Sequence, residues 1–496
     1  MTNNEYFIQT NWKSLLRNNR ASYRDVALKH GFGTKRSEPS NFVRIKGFGK
    51  YWRDVTSRAS MEEKWFAFVK PNPLNFDDVL LEKSEDMIFD LFSSHYTEPL
   101  KTVSVMEAVH LLPSDTSAGL PFSPGVRKGD VWKEIIKIAK HSWRTVKRDG
   151  KLQICPCRAG ARRALRVVGT NKPRLVFAYP AYLNVLETQF TAAFMADPPP
   201  FLGWSVNWLD DGLSYDRLVA RLHRSRAWAN LDFSSFDTSV SPKLIRRAFS
   251  IVRRLMDLSK IEESMLSELC EYFIHTPLLM YNQIRYKSRG IPSGSAFTQL
   301  IGSIVNALGC CYASQRSREF SLSLNQCIWL GDDSFLSLES GVAKQLFEED
   351  YLSYFKELGL VVNEEKTLYE VRRYGMPVSF LGHSFKLGIR YFDVDCKKLS
   401  ASITIPENKD RCPEDAAQRV IGLAWAFGCD ERAYRMLLHA WIQVRRCNAD
   451  LSSVHMQKDI RRIFGLYNIE DIDFSGFPSY NEVAARYYGT VLYPVV

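Results

Sequence analysis

Residues 226–233 (RAWANLDF) are apolar without a helical period and close on an aspartate. That pattern predicts a short buried strand ending at Asp232. After Pro242 the apolar positions up to residue 258 return every three or four residues, which predicts an amphipathic helix opened by proline. A second helix is predicted over 298–309, with Thr298, Ile301, Gly302, Val305 and Leu308 on neighbouring faces. Residues 326–338 (QCIWLGDDSFLSL) are two short apolar runs around Gly331-Asp332-Asp333, the signature of a hairpin. Near the end Asp430 can cap a helix whose period carries Tyr434, Leu437, Leu438, Trp441 and Arg445, after a break marked by Gly428. The order is thus a basic N-terminal part, a centre of strand and hairpin, and a helical end. No repeat or low-complexity tract interrupts it. No apolar run approaches the roughly 18–20 residues of a membrane span, and the first residues lack the apolar core of a signal peptide.

The chain has 496 residues and a formal charge of +11. Single cores stop growing at roughly 250–300 residues, so two or three packed subdomains are expected. The excess of Lys and Arg suits a polyanionic partner, because neutralised phosphates release counterions. It is concentrated between Arg158 and Arg174 (RAGARRALRVVGTNKPR), which holds six basic residues and no acid. The ten cysteines include Cys155-Pro-Cys157 and Cys310-Cys311, spaced too tightly for the usual zinc pattern. Buried thiols in a reduced, cytosolic setting are expected.

Candidate chemistry lies in the carboxylates. Nucleotidyl transfer needs an activated hydroxyl and a stabilised pyrophosphate, and two metal ions about 3.5–4 Å apart serve both ends. Mg²⁺ takes oxygen ligands and keeps several waters, so one or two carboxylates per ion suffice. Asp232 at a strand end and Asp332 at a hairpin tip can face one point if their strands are antiparallel neighbours. Taken singly, each has a plain reading as a turn residue. Asp237 follows in DFSSFD, near a helix start, where it can hydrogen-bond a ribose hydroxyl. In Ser288–Asn306 (SRGIPSGSAFTQLIGSIVN), Ser293-Gly294 gives a flexible loop and Thr298, Gly302 and Asn306 share one helix face. Polar groups there can read a 2′-hydroxyl; a packing face of small residues is the plainer alternative.

Taken in order, these blocks resemble viral RNA-dependent RNA polymerases over roughly residues 115–390. LDFSSFD resembles the family's first palm motif, SGSAFTQLIGSIVN the second and WLGDDSF the third. The resemblance implies that Asp232 and Asp332 hold two Mg²⁺ or Mn²⁺ ions, with Asp333 accessory, and that Asp237, Ser293, Gly294, Thr298 and Asn306 surround the nucleotide sugar. NEEKT resembles the fourth motif, whose lysine, here Lys366, would protonate the leaving pyrophosphate. FLGH resembles the fifth, in which Phe380, Leu381 and Gly382 would grip the primer strand. TSAGLP resembles the motif that admits the template, giving Thr116, Ser117, Ala118 and Gly119. NKPRLV with its basic prelude resembles the motif over the nucleotide channel, with Arg174 on the triphosphate and Lys172, Arg166 and Arg163 helping. Arg suits that task because its planar fork binds phosphate bidentately. One departure stands out: relatives often place Asn four residues after the motif threonine, where this chain has Gly302, and Asn306 comes one turn later.

The details look most like polymerases of small double-stranded-RNA viruses, of partitivirus or picobirnavirus type. The resemblance implies an α+β fold, a closed right hand with an antiparallel palm sheet and a mostly helical thumb. Residues 1–226 and 241–290 would be fingers, 227–240 and 291–395 palm, and 396–496 thumb and C-terminal tail. It implies ribonucleoside triphosphates and an RNA template as substrates, a viral capsid protein as partner, no membrane, and action in the virion interior and host cytoplasm. A reverse transcriptase would share the strand-end acids; Asp237, the Ser293-Gly294/Thr298 block and Gly331 argue against it. A non-enzymatic RNA-binding protein on the same scaffold would not need the intact acids. In the tail Arg486–Val496, Tyr487, Tyr488 and Tyr493 can stack on a first nucleotide or pack on the thumb.

Overall fold

The computed structural model describes residues 38–47, 49–71, 73–203, 225–281, 283–341, 343–371, 378–380, 383–386, 389–391, 394–407, 409–449 and 476–488. Its strands are β1 (Tyr51–Arg53), β2 (Cys157–Arg162), β3 (Leu165–Val167), β4 (Arg174–Ala178), β5 (Ala227–Asn230), β6 (Pro277–Met280) and β7 (Gln283–Tyr286). Then follow β8 (Ile328–Leu330), β9 (Asp333–Leu338), β10 (Leu368–Val371), β11 (Val378–Phe380), β12 (His383–Lys386) and β13 (Ile389–Tyr391). The apolar run before Asp232 becomes β5 and the Gly331-Asp332-Asp333 hairpin becomes β8 and β9. They join in one antiparallel sheet, ordered β10-β5-β9-β8. Both β5 and β9 are buried along nearly their whole length, which explains their unbroken apolar sequences.

A second sheet, β4-β2-β6-β7, is antiparallel except for the parallel pair β2–β6. The helix Thr298–Arg316 packs on β8 of the first sheet and on the helices Asp78–Ser93 and Pro242–Arg254, and the loop before it reaches β4 of the second. The Pro242–Arg254 helix starts as its sequence predicts: Ser241 Oγ accepts from Leu244 N–H at 3.3 Å and proline occupies the first turn. It stops short of residue 258 because Leu100 takes over the backbone. Leu100 N–H donates to the Leu255 carbonyl and its own carbonyl accepts from Asp257, at 2.9 and 2.8 Å. The 298–309 pattern, conversely, runs on to Arg316.

One large apolar core links these layers, from Met61 to Tyr369. A second core is built by the helices Cys396–Thr404, Pro413–Phe427 and Glu431–Arg445, with Val43 and Ile45 added from far upstream. Asp430 caps the last of these, accepting from Ala433 N–H at 2.9 Å. Arg419 pairs with the buried Asp410, which also accepts from Ser40 Oγ. The two cores are joined by the ribbon β1–β3: Arg53 donates to the Ile405 carbonyl at 3.0 Å and Arg163 to the Glu407 carbonyl. All ten cysteines are free thiols and most are buried. No described helix is long and apolar enough to cross a membrane. Of the tail, residues 489–496 and the side chains at 486–488 lie outside the described residues, and so does the proposed tyrosine platform.

Candidate active site

The site begins with the turn between β8 and β9. Leu330 pairs with Asp333, leaving Gly331 and Asp332 at the tip. Gly331 has φ +63°, a conformation that costs L side chains energy, and a Cβ there would stand 2.6 Å from Gln299 Oε1. The Thr298–Arg316 helix holds this turn from below. Gly331 N–H donates to Ser303 Oγ at 2.8 Å, and its carbonyl accepts from Asn306 Nδ2 at 3.1 Å. A Cβ on Gly302 would lie 3.3 Å from Gly331 Cα, so the missing side chain lets helix and turn approach.

β5 runs antiparallel to β9, with Ala229 opposite Leu336; continued onward, that register brings Asp232 opposite Asp333. Asp232 is fixed through its backbone. Its N–H donates to Thr367 Oγ1 at 3.2 Å and its carbonyl accepts from Asn363 N–H at 2.7 Å. The same clasp delivers Lys366, whose Nζ stands 4.0 Å from Asp232 Oδ2 with both side chains open to solvent. Asp237 sits in the short helical turn Phe236–Ser239, entered through Ser235 at φ +61°. Its carbonyl accepts from Ile291 N–H at 2.6 Å, and Gly290 comes so close that a Cβ would meet that carbonyl at 2.5 Å.

The electrostatics show that acids from both stretches converge. The Asp333 carboxyl is pushed up to about 6, by loss of solvent first and then by the charges of Asp332 and Asp232. Asp237 rises to about 6 as well, by loss of solvent first and then by the charge of Asp332. Arg174, at the start of β4, draws both back down. Four carboxylates thus crowd one cleft against one arginine and one lysine. Among the described residues no three His, Cys, Asp or Glu side chains close into a ready cage. A cation here would be held by one or two carboxylates and would complete its shell with water and phosphate oxygens. That is how Mg²⁺ binds in nucleotide sites. The donor set fits: hard oxygens whose mutual repulsion a divalent ion relieves.

The loop before the long helix is pinned to β4. Phe177 N–H donates to Ser293 Oγ at 3.4 Å, and Gly294, at φ +100°, would meet the Phe177 carbonyl at 2.2 Å if it carried a Cβ. Ser293 and Arg174 therefore belong to one wall. Thr298, half-buried, donates to the Pro292 carbonyl at 2.8 Å.

Other expected residues stand elsewhere or work differently. Asn306 is fully buried and its amide is used on Gly331, so it supports the acidic turn instead of reading a sugar. Arg163 is drawn away onto Glu407, and Arg166 is paired with the buried Asp54 at 3.2 Å. Lys172 is exposed, with its backbone N–H on Asp54 at 3.0 Å. In the 116–119 turn only Thr116 and Ser117 are accessible. Ala118 is buried, and Gly119, at φ +64°, lies against the Tyr179 carbonyl, so these two shape the backbone instead of lining a channel. Phe380 is buried in β11 and presents no ring to an RNA strand; Leu381 and Gly382 lie outside the described residues. The sequence reading missed Ser303, Thr367 and Gly290, which carry no charge. Ser303 lies on the helix face next to Asn306, and Thr367 adjoins Lys366, so both were within reach of a face-by-face reading.

A family model for viral RNA-dependent RNA polymerase matches residues 69–438. The RNA-directed RNA polymerase of Cryptosporidium parvum virus 1 (strain KSU-1) is 41% identical over 435 residues, 84% of this chain and 83% of that one. The genome polyprotein of human hepatitis A virus genotype IA (isolate HAS-15) is 27% identical over 241 residues, 45% of this chain and 11% of the polyprotein. Among solved structures, the RNA-dependent RNA polymerase of a human picobirnavirus superposes with a TM-score of 0.61 at 16% identity, covering 87% of this chain and 80% of that one.

Proposed function

The chain belongs to the viral RNA-dependent RNA polymerases, and from that membership we propose how its own residues make RNA. It is an RNA-directed RNA polymerase with the right-hand polymerase fold, and its substrates are ribonucleoside triphosphates and an RNA template. In our reading residues 1–226 and 241–290 are fingers, 227–240 and 291–395 palm, and 396–496 thumb. The β1–β3 ribbon, reaching Ile405 and Glu407, closes the hand.

Asp232 and Asp332, with Asp333 beside them, hold two divalent ions, Mg²⁺ or Mn²⁺. When bound, these supply Lewis acidity to the attacking hydroxyl and to the leaving phosphate. Arg174 binds the triphosphate, and Lys172 adds charge at the channel mouth. Asp237 accepts from the ribose, aided by Ser293, Gly294 and Thr298. The face that relatives fill with Asn is spent here on the Gly331 turn, so Asp237 bears more of the sugar reading. Lys366, in its salt bridge with Asp232, is placed to give a proton to pyrophosphate. Thr116 and Ser117 touch the template. RNA affinity comes from backbone charge and falls with salt.

The enzyme replicates and transcribes a viral genome in the virion interior and host cytoplasm, with the capsid protein as partner. Likeness to a double-stranded-RNA virus enzyme supports that setting, in keeping with a partitivirus-like origin.

The observation that carries the reading is the antiparallel pairing of β5 with β9, which sets the strand that ends before Asp232 beside the hairpin that bears Asp332 and Asp333. Primer-free synthesis on single- and double-stranded RNA tests it, comparing wild type with Asp332→Ala. Labelled RNA should appear with wild type and vanish with the variant; equal product from both overturns the catalytic assignment.

A further inference from the structure

The helix Ala181–Ala196 is buried on almost every side, yet it carries Asn184 and Glu187 one turn apart on one face. Both are used on the loop that precedes the long helix. Glu187 Oε2 accepts from Ser295 Oγ at 2.8 Å and from Ala296 N–H at 2.7 Å. Asn184 Nδ2 donates to the Gly294 carbonyl at 2.9 Å. Glu187 is 0% exposed, and its other oxygen, Oε1, is buried without a hydrogen-bond partner. An isolated carboxyl at this depth is costly, and an apolar side chain of similar volume would pack more cheaply. What the acid supplies is the shape of the loop.

We propose that Glu187 is a positioning residue for nucleotide binding: from inside the fold it holds the 293–296 loop in the conformation that receives the incoming nucleotide. The inference rests on the assignment of Ser293 and Gly294 to the nucleotide site and adds a group that never touches the cleft. Burial pushes the carboxyl up to about 8, so near neutral pH it is mostly protonated. The charged and titratable groups around it are few. Lys128 favours its ionised form, and Tyr179 and Cys157 feel its charge. Lys128 is itself buried and pushed down to about 8, and it also feels Asp115. It belongs to the turn whose backbone meets Thr116, at 2.9 Å from Lys128 N to the Thr116 carbonyl. Glu187 thereby stands within electrostatic reach of the template-side turn while hydrogen-bonded to the nucleotide-side loop.

The experiment is single-nucleotide addition on a primed RNA template with the full chain, together with thermal melting of each variant. Glu187→Gln keeps an acceptor for both donors, and kcat and KM should stay within about twofold of wild type. Glu187→Ala leaves the loop donors without an acceptor. KM for the nucleotide should rise about tenfold with a smaller change in kcat, as loss of one or two buried hydrogen bonds implies. Ser295→Ala should raise KM about threefold, and that effect should disappear in the Glu187→Ala background, because both act through one contact. If Glu187→Ala lowers Tm and leaves KM unchanged, the role is structural only and the proposal fails. It also fails if Glu187→Gln is as impaired as Glu187→Ala. Should Glu187→Ala not fold, a Ser295→Ala enzyme with unaltered KM overturns it. Asp332→Ala runs in parallel: activity in that variant would refute the site assignment itself, a result separate from any of these.

Discussion

Two places in this molecule raise the proton affinity of carboxyls, and they do so for opposite ends. In the cleft, Asp237 and Asp333 are raised to about 6 by loss of solvent first, with neighbouring acids adding to the rise. Under the 293–296 loop, Glu187 is raised to about 8 by burial alone, with donors and Lys128 pulling the other way. Crowded, accessible negative charge is an unfinished site that a cation completes. A buried, mostly neutral carboxyl is a finished joint. Loss of solvent is the first cause in both places; the company differs, and like charges beside Asp237 and Asp333 point to a missing ligand, whereas hydrogen-bond donors on Glu187 point to a structural contact.

Neutralising one acid from each place should therefore separate stability from activity. The largest effect is expected from Asp232→Asn, a loss of about 10³-fold or more in nucleotide addition, since the proposed assignment makes this acid a cation ligand. The same change relieves repulsion, so Tm should hold or rise; a melting scan beside the rate measurement checks both. Next comes Lys366→Leu, which should slow addition by about 10²-fold, the range of general acid help. The deficit should shrink when the pyrophosphate is replaced by a better leaving group. A smaller loss is expected from Asn306→Leu. It leaves the Gly331 carbonyl buried without its donor, which costs about 1–3 kcal/mol and loosens the acidic turn. Single-turnover rates should fall about tenfold while KM for the nucleotide stays unchanged. A raised KM instead would return Asn306 to the sugar.

The smallest effect concerns Glu187 and pH. Its carboxyl holds a proton in the folded chain up to about 8 but only to 4.5 when unfolded. Between those values the native state binds the extra proton, so stability falls as pH rises and levels off above about 8. Glu187→Gln removes that slope. Its Tm advantage over wild type should grow from pH 5 to pH 8 with activity kept, the reverse of the outcome at Asp232.

Much of this was legible in the chain. Short apolar runs and turn chemistry located β5, the 328–338 hairpin and the helix starts at Pro242 and Thr298, because local patterns decide those features. What stayed hidden depends on partners far away in sequence. Asn306 lies on the same helix face as Thr298, and only the packing of Gly302 on Gly331 shows that this face is spent on the turn. Arg163 looks like its basic neighbours, yet Glu407 claims it from 244 residues away. Glu187 sits in an apolar run where a lone acid gives no sign of which loop it will hold. Helix 242–258 ended early because Leu100 competes for its last turn.

The central claim is that acids from two separate stretches share bound cations. Its most direct test is the count of Mn²⁺ ions bound by the enzyme with primed RNA and a non-hydrolysable nucleotide, measured by electron paramagnetic resonance for wild type and for the Asp232→Asn/Asp332→Asn double variant. The account predicts two ions in wild type and loss of tight binding in the variant. An unchanged count and affinity after both acids are neutralised would contradict it.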